Sequence, residues 1–99
     1  MRPMDDAGFD PIIHGEHRLR VMAILSAADA VEFGTIQEEL GLSKSALSKQ
    51  LAQLTDVGYV QQERRTRGGR SRVWLALTKT GRSAYRAHIA ALRAIIDQG

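Results

Sequence analysis

Apolar residues recur at helical spacing in the first half of the chain. A first helix is predicted from about Glu16 to Ala28, where apolar side chains cover more than half of the circumference. A second, short helix is predicted from about Ile36 to Leu40. Thr35 and Glu38 have the spacing of a capping box, and Gly41 stands where helices often end in a left-handed residue. The pattern therefore predicts two helices before residue 42.

Two further helices follow at later points of the chain. Ser43 is a favourable N-cap for a third helix, which Gly58 ends. The apolar positions of this helix are spaced by four and three: Leu47, Leu51 and Leu54. Thr78 caps a last helix that begins at about Lys79. Its apolar seam consists of Tyr85, Ile89, Leu92 and Ile96.

Between these two helices the period changes from helical to alternating. Residues 59–66 and 71–78 are predicted as strands joined through Gly68 and Gly69, because both central positions of a type I′ hairpin turn require positive φ. In this register the numbers of paired residues sum to 137. The resulting fold class is mainly α with one β-hairpin, in the order α-α-α-β-β-α. This order describes a helix-turn-helix with a wing.

Length and composition indicate a single globular domain. The chain has 99 residues, of which 43% are hydrophobic and 25% are charged, and its apolar runs are too short for a membrane span. Residues 1–11 lack apolar periodicity and are predicted to be a flexible tail without a secretory signal. Residues 12–99 then form the domain. Cysteine is absent, which agrees with an expected cytoplasmic location.

Charge is distributed unevenly along the chain. The formal net charge is +3, but residues 1–39 hold eight acidic and three basic residues, whereas residues 40–99 hold eleven basic and three acidic residues. The two parts thus carry −5 and +8. This asymmetry predicts a polyanion site in the second part, although a merely solvated basic surface would have the same composition.

The third helix carries the first candidate site. Its outward face has hydroxyls, alanine, lysine and glutamine, and no acidic residue occurs between Ser43 and Thr55. Small side chains permit close approach to base edges, while lysine and glutamine donate hydrogen bonds to phosphates or purines. We predict a DNA-binding recognition helix over about residues 44–57. Its candidate contacts are Ser43, Lys44, Ser45, Ala46, Ser48, Lys49 and Gln53, with Ala52 also facing outward.

The hairpin carries the second candidate site, which we call the wing arginines: Arg64, Arg65, Arg67, Arg70 and Arg72. The predicted register places Arg67 opposite Arg70 and Arg65 opposite Arg72. Like charges directly opposite one another destabilise a strand pair, and a bound polyanion would remove this conflict. We therefore predict that the wing, residues 64–72, contacts the DNA backbone or minor groove. A solubilising tip in another register is the alternative.

The first and last helices have more apolar surface than a single core requires. We predict homodimerisation through Leu19, Met22, Tyr85, Ile89, Leu92 and Ile96. The alternative is that both helices cover only the core of their own chain.

Catalytic and metal-binding patterns are not supported. His14 and His17 are spaced as two metal ligands on a helix could be, but no further ligand pattern accompanies them. Walker, nucleophile-elbow and zinc-protease motifs are missing. We expect no enzymatic activity, no metal and no cofactor.

Three stretches resemble the winged helix-turn-helix transcriptional regulators of the MarR and ArsR type. They are IHGEHRLRVMAIL in the first helix, TIQEELGLSKSALSKQLAQLTDVGYV through the helix-turn-helix, and LTKTGRSAY at the start of the last helix. The resemblance covers about residues 13–96. It implies that the helix from Lys44 is the recognition helix, that the hairpin is the wing, and that the first and last helices form a dimer.

The resemblance also bears on signals and partners. The chain lacks the cysteine motif of metal-sensing relatives and is shorter than typical MarR chains, so nothing in it supports a small-molecule effector. We expect a homodimeric repressor that binds a pseudo-palindromic double-stranded operator. The alternatives are a protein-interaction or RNA-binding module and a ligand-sensing regulator.

Overall fold

The computed structural model of the chain describes residues 7–98. In chain order its elements are α1 (Pro11–His14), α2 (Glu16–Ser26), β1 (Val31–Glu32), α3 (Phe33–Leu40), α4 (Lys44–Asp56), β2 (Val60–Arg67), β3 (Arg70–Leu77) and α5 (Lys79–Gln98). The predicted fold class is confirmed, and the predicted helices correspond to α2, α3, α4 and α5. The short elements α1 and β1 go beyond the prediction, because four and two residues are too few to show a period.

One hydrophobic core joins the helices to the sheet. Its buried side chains are Ile13, Val21, Met22, Leu25, Ile36, Leu47, Leu51, Leu54, Val60, Leu75 and Leu77. The three leucines of α4 lie on one face of that helix, as their spacing predicts, and are at most 1% exposed. Truncating one of them to alanine would cost about 2–5 kcal/mol of stability. Because this face is fixed inward, the opposite face of α4 is turned to solvent.

The start of α3 corrects the capping-box prediction. The helix begins at Phe33 rather than at Ile36, its N-cap is Glu32, and no side chain caps it. Thr35 lies inside the first turn and does not serve as the N-cap. The reason is tertiary: Glu32 is held extended by pairing with Trp74 of β3, so the chain can turn into a helix immediately afterwards.

The link between α3 and α4 agrees with the sequence signals. Gly41 adopts the left-handed conformation at φ +64°, where a glycine ends a helix with little strain. The Ser43 hydroxyl oxygen accepts a hydrogen bond from the Ala46 amide at 3.1 Å and so caps α4. These two residues fix the turn between the helices.

The sheet has the strand order β1-β3-β2 with antiparallel neighbours. The predicted hairpin register is confirmed, since Arg67 pairs with Arg70 and Val60 pairs with Leu77. Gly68 and Gly69 have φ values of +58° and +78°, which fit a type I′ turn. Only Val31 and Glu32 of β1 pair with β3, so most of the hairpin projects beyond the third strand.

Helix α5 begins where the sequence predicts. The Thr78 hydroxyl accepts a hydrogen bond from the Gly81 amide at 2.9 Å and donates one to the Gly58 carbonyl at 2.6 Å. Gly81 is required by its contact with the residue directly before β2, because a Cβ there would overlap the backbone of Tyr59. Within residues 7–98, no helix has the length and apolarity needed to cross a bilayer.

The segment before α1 is held to the body through Asp10. The carboxylate of Asp10 accepts hydrogen bonds from the amides of Ile12 (2.9 Å) and Ile13 (3.3 Å), and from the Tyr59 hydroxyl at 2.5 Å. Its amide donates to Nδ1 of His88 at 2.9 Å. Of the predicted tail of residues 1–11, Asp10 caps α1 and Pro11 belongs to that helix, whereas residues 1–6 lie outside the described residues.

Two side chains of this Asp10 cluster have shifted pKa values. The hydrogen bond to Asp10, together with burial and the charge of that carboxylate, raises the pKa of Tyr59 to about 12. Burial and the nearby His14 lower the pKa of His88, and the negative charge of Asp10 offsets only part of this decrease. His88 is fully buried, and its Nε2 lies 3.3 Å from Nδ1 of His14. The cluster of Asp10, His14, Tyr59 and His88 thus joins α1, α5 and the residue directly before β2.

Candidate nucleic-acid interface

Helix α4 presents a polar face opposite its buried leucines. Lys44, Ser45, Ser48 and Lys49 are exposed on it, and Ala52 adds a small exposed side chain one turn further on. Acidic side chains are missing from this face, as the sequence indicates. The face can therefore approach phosphates and base edges without charge repulsion.

The other predicted residues of the recognition helix are less available. Ser43 is exposed, but its hydroxyl is used in capping α4. Ala46 and Gln53 are half-buried, so each has only part of its side chain free for a ligand. The neighbouring Gln50 accepts a hydrogen bond from Arg18 at 2.9 Å, which ties α4 to α2.

The register of the hairpin divides the wing arginines between two faces. Arg64 pairs with Val73 on the face that continues into the core, here called the inner face. The other four lie on the outer face: Arg65, Arg67, Arg70 and Arg72. Alternation along a strand causes this division. The wing arginines are all exposed, but the structure does not bring them together as one cluster.

The inner face of the wing and α4 enclose a groove of about 430 Å³, which we call the inner groove. Lys44 and Ser48 line it from the helix, and Arg64 and Gln62 line it from the hairpin. Gln62 is not among the predicted site residues, although the period of two in the predicted strand places it on the same face as Arg64. The inner groove is therefore a basic cleft between the recognition helix and the wing.

Two of the outer arginines have acidic partners in the protein. Arg72 contacts Glu32 at 2.6 Å, and Arg65 contacts Glu63 at 3.2 Å. The Arg65 guanidinium also lies 4.6 Å from the centre of the Trp74 ring. The conflict between Arg65 and Arg72 is thus relieved inside the molecule, without a polyanion. Glu32 was missed because it lies 40 residues before its partner.

The arginines at the tip of the wing have no such partners. Among the described residues, no acidic group forms an ion pair with Arg67 or Arg70, which face each other next to the Gly68-Gly69 turn. They line an outer groove of about 660 Å³ together with Trp74 and the two paired arginines. The tip is therefore the part of the wing most available to an anion.

The predicted dimerisation residues have different degrees of exposure. Met22 is a correction, because its side chain is completely buried in the core of its own chain and cannot reach a partner. Leu19 and Tyr85 are half-buried and pack against that core. Ile89 and Leu92 are also half-buried, whereas Ile96 is 71% exposed and the neighbouring Ile95 is 41% exposed. The free apolar surface therefore lies near the end of α5.

Hydrogen bonds fix the positions of the rings of His14 and His88. Since Nδ1 of His88 accepts from the Asp10 amide, the proton of the neutral ring lies on Nε2 and points toward Nδ1 of His14. His17 belongs to α2 and is separate from this contact. In the part of the chain that the structure describes, no three His, Asp or Glu side chains meet as a metal site.

A family model for a winged helix DNA-binding domain matches residues 17–96. The chain belongs to this family. Its members are DNA-binding regulators of transcription, and the match covers the helix-turn-helix, the wing and most of α5. The resemblance to winged helix transcriptional regulators is thereby confirmed.

Relatives and solved structures agree with this family. A transcriptional regulator homologue from Pyrococcus horikoshii OT3 superposes with a TM-score of 0.82 at 25% identity, covering 88% of this chain and 86% of its own. HlyU from Vibrio cholerae N16961 superposes with a TM-score of 0.62 at 26% identity, covering 76% of this chain and 77% of its own.

A third structure, a transcriptional regulator of the MarR family from Enterococcus faecalis V583, superposes with a TM-score of 0.75 at 24% identity. The match covers 88% of this chain and 77% of the other. At this identity the similarity supports the fold alone. An uncharacterized protein of Methanocaldococcus jannaschii is 28% identical over 73% of this chain and 78% of its own.

Proposed function

We propose that this winged helix protein is a sequence-specific, double-stranded DNA-binding regulator of transcription. The observation that carries the proposal is the inner groove, where Lys44 and Ser48 of α4 meet Arg64 of the wing in one basic cleft. An exposed helix face free of acidic side chains suits the major groove, which admits an α-helix. The Pyrococcus horikoshii protein, described as a transcriptional regulator homologue, supports the same function.

In this proposal α4 reads bases and the wing contacts the backbone or minor groove beside it. Ser45, Ser48 and Lys49 are the base-reading candidates, because they are exposed on the face of α4 that has no acidic side chain. The Ser45 hydroxyl lies 3.4 Å from that of Ser43, which caps the same helix. Arg67 and Arg70 are the phosphate-contacting candidates at the wing tip. Phosphate contacts position a protein on DNA, whereas base contacts give it sequence preference.

The proposed assembly is a homodimer on a pseudo-palindromic operator. The exposed apolar side chains near the end of α5, Ile95 and Ile96, support a contact with a second copy. Two-fold symmetry would place the recognition helices about 34 Å apart, one turn of DNA. A short regulator of this kind would repress by occupying its operator. This activity belongs in the compartment that holds the chromosome, which fits the expected cytoplasmic location.

The experiment that tests the function begins by selecting bound fragments from a random pool of double-stranded DNA. Symmetry in the selected fragments would report the dimer, and their shared sequence would define the operator. RNA of the same length serves as competitor. Preferred binding of RNA, or no enrichment of any DNA sequence, would contradict the proposal and favour an RNA-binding or protein-interaction module.

Variants then separate the two kinds of contact. Replacing Arg67 and Arg70 by Ala should weaken binding to the operator and to random DNA by the same factor. Lys49→Ala should instead reduce the preference for the operator, since each good base contact is worth about 1–3 kcal/mol of discrimination. The same loss on both DNAs for Lys49→Ala would argue against base reading by α4.

A further inference from the structure

The wing leaves the body of the protein as a two-stranded ribbon. Strand β1 pairs only with Leu75 and Trp74 of β3, so the ribbon from Val73 to the turn has no third strand beside it. Two-stranded ribbons are marginally stable by themselves. The direction of the wing relative to α4 must therefore be set by side chains at its base.

Three arginines make polar or cation–π contacts at this base, and among the described residues only one of these arginines reaches outside the ribbon through such a contact. Arg64 contacts Ser71 at 3.1 Å, and Arg65 contacts Glu63 and Trp74. These join one strand of the ribbon to itself or to the other. The third arginine, Arg72, contacts Glu32 and so joins the ribbon to the residue directly before α3. Val73, at the same end of the ribbon, packs against the core.

The position of Glu32 makes this contact suitable for orienting the wing. Its backbone is fixed twice, by pairing with Trp74 and by the start of α3, and its side chain is 24% exposed. The Arg72 side chain is 52% exposed, so Glu32 is the member of the pair that is better shielded from solvent. The pair lines both the inner and the outer groove and so stands between them.

We propose that Glu32 is a positioning residue for DNA binding, which acts through Arg72 to hold the wing in line with α4. Arg72 then belongs to the support of the wing, and the tip residues Arg67 and Arg70 make its phosphate contacts. The proposal rests on the proposed function, because it assigns a residue to that activity. The opposite assignment makes Arg72 a phosphate ligand for which Glu32 competes.

The two assignments predict opposite changes in DNA affinity for the substitution Glu32→Gln. If Glu32 competes with phosphate, Glu32→Gln frees Arg72 and strengthens binding. If Glu32 positions the wing, the same change weakens binding, and Arg72→Gln weakens it equally. Exposed ion pairs are worth up to about 1 kcal/mol, which corresponds to a loss of about two- to fivefold in affinity.

The experiment measures dissociation constants for double-stranded DNA over a series of salt concentrations. Glu38→Gln is the matched control, since it removes an exposed acidic side chain of α3 that forms no ion pair among the described residues. We expect losses for Glu32→Gln and Arg72→Gln that do not add in the double variant. We also expect an unchanged salt slope and recovery of affinity in the charge-swapped pair Glu32→Arg with Arg72→Glu.

Amide hydrogen exchange of the free protein gives a readout that does not depend on DNA. Glu32→Gln should speed exchange in residues 64–73 and leave α4 unchanged, at an unchanged midpoint of thermal unfolding. Stronger binding by Glu32→Gln than by Glu38→Gln would overturn the proposal. The proposal would also be overturned if Arg72→Gln reduced the slope of log K against log salt by about 0.9 for each protomer, because Arg72 would then be a phosphate ligand. Wild-type protein that binds no DNA would overturn the proposed function itself, an outcome distinct from these.

Discussion

At the scale of single residues, His88 shows how a buried polar group is accommodated. Its Nδ1 accepts the Asp10 amide and its Nε2 faces His14, so the neutral ring has a partner at each nitrogen. A proton added at Nδ1 would replace the acceptor by a donor and leave the Asp10 amide without a partner. Burying an unpaired polar group or a charge is unfavourable, which explains why the native state resists protonation here.

The lowered pKa of His88 predicts a loss of stability in mild acid. The unfolded chain binds a proton on this side chain near its ordinary pKa of 6.5, whereas the folded protein binds it only at lower pH. The contribution of His88 is therefore fully present above about pH 6.5 and decreases as the pH falls through 6.5 toward the folded pKa. Urea unfolding at pH 7.5 and 5.5 should show this decrease, at most about 1.4 kcal/mol per pH unit.

His88→Asn is the control for this titration. An asparagine can offer an acceptor near the position of Nδ1 but does not titrate in this range. The variant should be less stable than the wild type at pH 7.5 and should lose less stability between pH 7.5 and 5.5. Equal losses in the two proteins would show that His88 is not the group responsible.

Met22 and the wing arginines show when the sequence can predict the face on which a side chain lies. The alternation of a strand places Arg64 on one face and Arg65 on the other, so this division was present in the predicted register. The burial of Met22 was not predictable in the same way, because a wide apolar stripe does not say which part faces the core. Likewise, the pairing of Arg72 with Glu32 depends on a strand of two residues that has no sequence signal.

At the scale of elements, signals that act within a few residues were the most reliable. The Ser43 cap, the left-handed Gly41, the Thr78 cap and the diglycine turn all depend on local backbone geometry, and the structure contains each of them. The capping box at Thr35 failed because the pairing of Glu32 with β3 determines where α3 begins. Tertiary contacts override local preference in this way.

Two helical glycines give opposite predictions. Gly81 of α5 lies against the backbone of Tyr59, which cannot move away as a flexible side chain could. Gly34 of α3 is exposed, and the nearest atom to an added Cβ is 3.9 Å away. Alanine is preferred to glycine in helices by about 0.5–1 kcal/mol. Gly34→Ala should therefore stabilise the protein by about 0.5 kcal/mol, whereas Gly81→Ala should destabilise it.

Thermal and urea unfolding of the two glycine variants measure this difference directly. A backbone overlap at Gly81 should cost at least about 1 kcal/mol beyond the helix preference. If Gly81→Ala were as stable as the wild type or more stable, the close approach of α5 to Tyr59 would be incorrect.

At the scale of the whole molecule, the distribution of apolar and basic surface defines the proposed assembly. The chain is elongated, with principal extents of 56, 25 and 21 Å, and the last turns of α5 are exposed. In the proposed assembly, the apolar side chains at this end contact the second copy, and the basic side chains on α4 and the wing tip contact DNA. The sequence predicts both surfaces from composition and period, but it does not give the arrangement of two copies.

The proposed dimer predicts the effect of a change at Ile96, which is 71% exposed. Burying an isoleucine side chain contributes about 1.5–3 kcal/mol, and a symmetric contact buries two. Ile96→Ser should thus raise the dimer dissociation constant by at least about 100-fold. Val57→Ser is the matched control, because Val57 is 42% exposed at the end of α4 and should not affect the dimer.

Analytical ultracentrifugation of these two variants and the wild type distinguishes the outcomes. We expect a dimer for the wild type and Val57→Ser, and a monomer for Ile96→Ser at the same concentration. A monomeric wild type at micromolar concentrations would contradict a dimer formed through the end of α5.

We propose that the exposed face of α4 and the tip of the wing bind double-stranded DNA largely through its phosphates. The most direct test is the salt dependence of the dissociation constant for the selected operator. A dimer that neutralises about eight phosphates should give a slope of log K against log salt near −7, and replacing Arg67 and Arg70 by Ala in both protomers should reduce its magnitude by about 3–4. A slope near zero would show that the protein does not bind DNA through its phosphates.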